Sequence, residues 1–173
     1  MWVFVLVESL IFTAYLGVYL FDRARHEHSF LQAQSHLNLG LGVVETIALL
    51  ASSWSVARSV QTARAGDLRT AMRDAFLTGG FGLVFLICKI VEWVNQIHQG
   101  NTFTSNEFFQ YFFFLTAIHA VHVLIGFVVL GILIHQLSRA GGSSQETVET
   151  CATYWHTVDF LWVLIFALIY VVR

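Results

Sequence analysis

The sequence predicts an all-α protein that crosses the membrane as a bundle of five helices. Three observations carry this. The 173 residues are 57% hydrophobic and only 12% charged, about half the charge of a soluble domain. The apolar residues fall into five runs of spanning length, about 2–21, 38–57, 75–95, 108–137 and 152–172. There is no proline, so the helices need not be interrupted in the way that many transporters use to build a substrate site. We expect one domain over residues 1–173, with no internal repeat and no separate soluble unit. A net charge of −2 gives no basic patch for nucleic acid. Cys88 and Cys151 make no C-x-x-C pair and suggest neither zinc nor thiol redox chemistry.

The first run has no basic leading region and no small-residue cleavage site, which favours a retained helix over a signal peptide. It carries Glu8 among Val, Leu and Phe. Residues 22–35 follow as a polar loop. The second run holds Glu45, and the stretch 58–74 after it reads as the most basic loop, with Arg58, Arg64, Arg69 and Arg73. The third run opens on Gly79, Gly80 and Gly82, small enough for close helix approach. It ends with Lys89 and Glu92 one helical turn apart, where an ion pair is expected. The fourth run carries His119, His122 and His135, and Gly141-Gly142-Ser143-Ser144 connects it to the fifth. Glu149 precedes that last run, where a carboxylate complements a helix N-terminus.

Arginine is denser in the loops after the second and fourth runs than on the opposite side, which places the N-terminus inside and the C-terminus outside. Trp2, Trp54 and Trp155 then fall near the inner interface and Trp93 near the outer one. A rise of about 1.5 Å per residue sorts the buried polar groups into two layers. Glu8, His156 and Asp159 form an inner layer; Glu45, Lys89, Glu92, His119 and His122 form a central-to-outer one. His122 and Asp159 differ in depth by on the order of 12 Å, too far for one metal with ligands at about 2.0–2.2 Å. Two histidines on one turn cannot be both axial ligands of one haem. His119 and His122 are therefore expected to make hydrogen bonds between helices, with a metal site completed by Glu45 or Glu92 as the other reading. Glu8 is either a proton-exchanging carboxyl or a neutral one hydrogen-bonded across a helix seam. His156 and Asp159 share one helix face and require a protein neighbour there.

Four stretches resemble subunit III of the haem–copper respiratory oxidases. Ile118-His119-Ala120-Val121-His122-Val123-Leu124-Ile125-Gly126 is similar to that family's F-H-G-L-H-V-x-x-G helix. Tyr154-Trp155-His156-Thr157-Val158-Asp159-Phe160-Leu161-Trp162 is similar to its Y-W-H-F-V-D-x-x-W helix, with Glu149 at the matching distance upstream. Gly66-Asp67-Leu68-Arg69, leading to Glu92, resembles its G-D-R segment and following S-E-Y. The stretch from Phe4 to Phe12 resembles its buried-glutamate helix, which puts Glu8 on the family's intramembrane carboxylate. Glu45 departs from the pattern, standing where a neutral polar residue is expected. The common form has seven helices. On this resemblance the chain would correspond to the last five, similar to short members associated with nitric oxide reductases and some bacterial oxidases, and would be expected to lack the family's lipid cleft as a single-chain feature.

The resemblance implies a non-catalytic subunit without redox cofactors of its own. Haem and copper would belong to partner subunits. The chain would pack beside catalytic subunit I, among other oxidase subunits and phospholipid, and support proton uptake and durability in a bacterial inner membrane. The residues implied are Glu8, Glu92, His119, His122, Glu149, His156 and Asp159. An accessory subunit of a nitric oxide reductase and a stand-alone membrane haem or metal protein remain open as alternatives.

Overall fold

The computed structural model describes residues 2–138 and 145–172, with side chains at residue 7 and from residue 10 onward. Glu8, Arg139 and the Gly141–Ser144 connector lie outside the described residues or side chains. The elements are α1 (Trp2–Arg25), α2 (Glu27–Gln34), α3 (Leu39–Arg64), α4 (Leu68–His98), α5 (Glu107–Ser138) and α6 (Gln145–Phe166). The last helix continues into a π-helical turn, Ala167–Val171. Four helical segments among the described residues are long and apolar enough to cross a membrane: α3, α4, α5, and α6 with its π turn. The protein is an integral membrane protein of all-α class.

Among the described residues there are six α-helices, four of them of spanning length and apolarity, where the sequence predicts five spanning helices. The extra one is α2, within residues read as a polar loop. It is short and mostly polar, but it buries Phe30, Ala33 and Gln34. Phe30 packs against Tyr19, Phe108 and Tyr111, and the Gln34 amide donates to the carbonyls of Ile169 and Val172. The "basic loop" of residues 58–74 also shrinks, because helix continues through the arginines on both sides.

What remains between α3 and α4 is a tight turn. Gly66 takes φ +85°, and the N–H groups of Gly66 and Asp67 return to the carbonyls of Ala63 and Thr62, the double bond of a Schellman cap. Asp67 then caps α4, accepting from the Thr70 N–H at 3.1 Å and the Thr70 hydroxyl at 2.6 Å. These bonds hold its carboxyl below the usual carboxylate range. The same device ends α4, where Gly100 has φ +83° and Asn101 N–H returns to Gln96.

α3 and α4 form one antiparallel hairpin and α5 and α6 a second, with α6 against α3 and α5 against α4. Lipid supplies no hydrophobic drive for this packing, so close fit must. The fit centres on Trp155 of α6. A Cβ at Gly82 of α4 would stand 3.1 Å from its ring, and a Cβ at Gly126 of α5 also 3.1 Å. Gly82→Val should therefore overpack the seam, by about 1–3 kcal/mol. The check is the thermal midpoint of the detergent-solubilised protein, with Gly80→Val, at a position where an added Cβ meets nothing within 4 Å, as the control. Trp155 itself is buried, so it is a core residue and not part of an interfacial belt. Trp54 remains exposed, with the Arg58 guanidinium 4.9 Å over its ring.

Candidate functional site: a buried charge cluster and the polar seam beneath it

The sequence places Lys89 and Glu92 one turn apart on α4, and the fold turns both inward. Lys89 Nζ donates to Glu92 Oε2 at 2.6 Å and to Tyr170 Oη at 3.1 Å. Tyr170, brought in by the π turn, donates in turn to Glu92 at 2.7–2.8 Å. From α3, Glu45 Oε2 lies 2.8 Å from Lys89 Nζ. Neither Glu45 oxygen has a directed hydrogen bond, although the residue is fully buried. Aromatic faces close the site around the ammonium: Trp162 at 4.5 Å, Tyr170 at 5.5 Å and Phe112 at 5.8 Å. Charges at this depth must face the bundle interior and find partners, and the cluster ties α3, α4 and the chain's last turn together.

His119 sits beside this cluster, fully buried. Its ring meets Phe85 edge-on at 5.4 Å and Trp162 at 5.2 Å. Neither ring nitrogen has a hydrogen-bond partner among the described residues. The expected interhelical hydrogen bond from His119 is thus replaced by aromatic packing. His122 Nδ1 donates at 2.8 Å to the carbonyl of Ile118 on its own helix, and its ring meets Phe12 of α1 at 5.6 Å. The Tyr154 hydroxyl reaches the His122 carbonyl at 3.4 Å.

The second layer lies along α3. Ser53 Oγ and His156 Nδ1 share a hydrogen bond of 2.6 Å, and Ser53 is also a neighbour of the buried Asp159, whose Oδ2 has no hydrogen-bond partner among the described residues. One α3 serine thus supplies the neighbour that the His156 and Asp159 face requires. Next to it, Trp155 Nε1 donates to Ser52 Oγ at 2.9 Å, and Ser52 donates to the Thr78 carbonyl at 2.9 Å. Nearer the α3–α4 turn, Arg58 stands 3.4 Å from the buried Asp74.

Glu149 is not at a helix start, because α6 begins at Gln145. Its carboxylate instead meets Arg64, at 2.7 and 3.0 Å. Both side chains are about half exposed, so Arg64→Ala should cost under about 1 kcal/mol. A double-mutant cycle with Glu149→Ala, repeated at high salt, checks this. Among the described residues, no group of three His, Cys, Asp or Glu is placed to hold a metal ion. Glu92, proposed as a completing ligand, has both oxygens engaged by Lys89 and Tyr170.

Comparison with known proteins gives a whole-chain match. Residues 1–172 match the family described as cytochrome c oxidase subunit III. The chain belongs to that family. It is 29% identical over 168 residues to a probable cytochrome c oxidase subunit 3 of Nocardia farcinica, covering 96% of this chain and 83% of the relative. It is 30% identical over 172 residues to the quinol oxidase subunit 3 of Bacillus subtilis, covering 98% and 83%. With the cytochrome c oxidase subunit 3 of Thermostichus vulcanus it shares 27% over 172 residues, covering 98% and 84%.

Membership makes this a subunit III of a haem–copper oxidase, associated with an oxidase complex. Within the subunit III fold, sequence reasoning put Glu45 in the polar interior without its partner Lys89, and missed Tyr170 and Ser53 as members of it. Glu45 was visible as a charge in an apolar run, yet its partner is on another helix. Tyr170 and Ser53 carry no signal in the sequence, since each is an ordinary residue in a membrane helix until the packing assigns its neighbour.

Proposed function

We propose that this chain is the short, five-span form of subunit III, a non-catalytic member of its complex that docks beside catalytic subunit I and supports proton uptake and durability there. The observation that carries the reading is the family match over residues 1–172. The relatives support the short form, since aligned stretches of 168–172 residues make up 83–84% of their own length. In this reading residues 1–173 are one domain and α1 is the fifth span. α2 and the α4–α5 loop lie at one end of the bundle, where His26 meets Glu107 at 3.4 Å and Gln96 donates to the His36 carbonyl. The arginine-rich α3–α4 turn marks the other end as the inside, with the N-terminus inside and the C-terminus outside.

Haem and copper reside in the partner subunits, and phospholipid fills the boundary around the chain in a bacterial inner membrane. Glu8 is the carboxyl on the docking seam. Glu92, His119, His122, Glu149, His156 and Asp159 hold the bundle in the shape that the partner recognises. The electron donor is cytochrome c or a quinol, as the relatives' names divide. The test is gentle-detergent isolation of the tagged chain from its native membrane, with an optical spectrum and identification of the co-purifying proteins. A haem–copper catalytic subunit carrying the haem is the expected result. A nitric oxide reductase partner would move the chain to that complex. A chain isolated alone with its own haem or metal would overturn the reading.

A further inference from the structure

The buried cluster of α3, α4 and the π turn has an odd charge count. It contains two carboxylates, Glu45 and Glu92, and one ammonium, Lys89, all at most 2% exposed. The other titratable groups facing it are Tyr170 from the π turn, Cys88 on α4 and His119 on α5. None of these supplies a second positive charge: a phenol and a thiol are neutral or anionic, and His119 is packed between Phe85 and Trp162 with both nitrogens unpartnered.

The two carboxylates are not equivalent. Glu92 accepts from Lys89 at 2.6 Å and from Tyr170 at 2.7–2.8 Å, a set of donors suited to a full negative charge. Glu45 lies 2.8 Å from the ammonium through Oε2 but accepts no directed bond, and its Oε1 has no partner. Two like charges in one buried site do not both persist against a single counter-ion.

We propose that the Glu45–Lys89–Glu92–Tyr170 cluster is an intramembrane proton-binding site. It holds one exchangeable proton on Glu45, while Glu92 and Lys89 form the ionised pair. The proton comes from solvent, and its uptake makes the cluster electrically neutral. This inference rests on the cluster's geometry and is independent of which oxidase the chain serves.

The experiment is infrared difference spectroscopy in the carboxylic-acid carbonyl region, on the full chain with its native partners in lipid, comparing variants with the parent. Glu45→Gln is expected to remove the signal of one protonated carboxyl per chain, and that signal should shift on prolonged exchange into heavy water. Glu92→Gln is expected to remove a signal as well, because Lys89 then needs Glu45 as its anion. Lys89→Met is expected to add one, since Glu92 must then take up a proton. Both glutamine variants keep side-chain shape and leave a balanced or neutral cluster, so they retain the fold. A purely structural ion cluster gives the opposite pattern: no carbonyl change in Glu45→Gln or Glu92→Gln, which would overturn the proposal.

Discussion

Replacing Lys89 by methionine is expected to destabilise the bundle by about 3–5 kcal/mol, the range for removing one partner of a buried ion pair. The side chain is 1% exposed. It is the counter-ion of Glu92, lies against Glu45, and hydrogen-bonds Tyr170. Without it, Glu92 becomes an unpaired charge in a buried site or must take up a proton. The thermal midpoint in detergent and the amount of folded chain in the membrane should both fall. Lys89→Met combined with Glu92→Gln should recover much of the loss, because the stranded anion is gone. A Lys89→Met protein as stable as the parent, or a double variant no better than the single one, would sink this account of the cluster.

Trp155→Ala is the second large effect, about 3–5 kcal/mol. The ring fills the slot between Gly82 and Gly126 and meets Phe127 edge-on at 5.7 Å. No small movement of α4, α5 and α6 can close a void of that size, since each helix is held elsewhere by other contacts. The indole N–H to Ser52 is a separate contribution. Trp155→Phe keeps most of the slab and removes that bond, so it should cost roughly 0.5–1.5 kcal/mol. Comparing the two variants by thermal unfolding separates packing from hydrogen bonding. Equal losses would mean that the hydrogen bond, and not the ring, holds the seam.

The membrane-spanning character was legible because lipid imposes it on composition. A stretch such as residues 108–137 has no other way to satisfy its backbone than as a helix. The Lys89–Glu92 pair was legible because its spacing is fixed by a single helix. Relationships between helices were not. Depth along a helix can be counted, but rotation about its axis cannot, so Trp155 was expected on an interfacial surface and is buried in the bundle instead. Rotation also decides that His119 packs against Phe85 and Trp162 and that Glu45 turns toward Lys89. Helix ends failed for another reason: polarity was read as loop in residues 22–35 and 58–74, where arginines and glutamines are good helix formers and the chain simply continues its winding.

The π turn at Ala167–Val171 has a consequence for the timing of biosynthesis. Its neighbourhood supplies the carbonyls that hold the N-terminal helices: Leu168 accepts from Tyr19 and Arg23, and Ile169 and Val172 accept from Gln34. Tyr19 and Leu168 are 149 residues apart. At about 5–20 residues per second, the ribosome needs roughly 7–30 s to travel between them. For most of that interval α1 and α2 are already made but lack these carbonyl partners. Tyr19, Arg23 and Gln34 are thus made long before the carbonyls that fasten them, and these ties form only once residues 168–172 have been added.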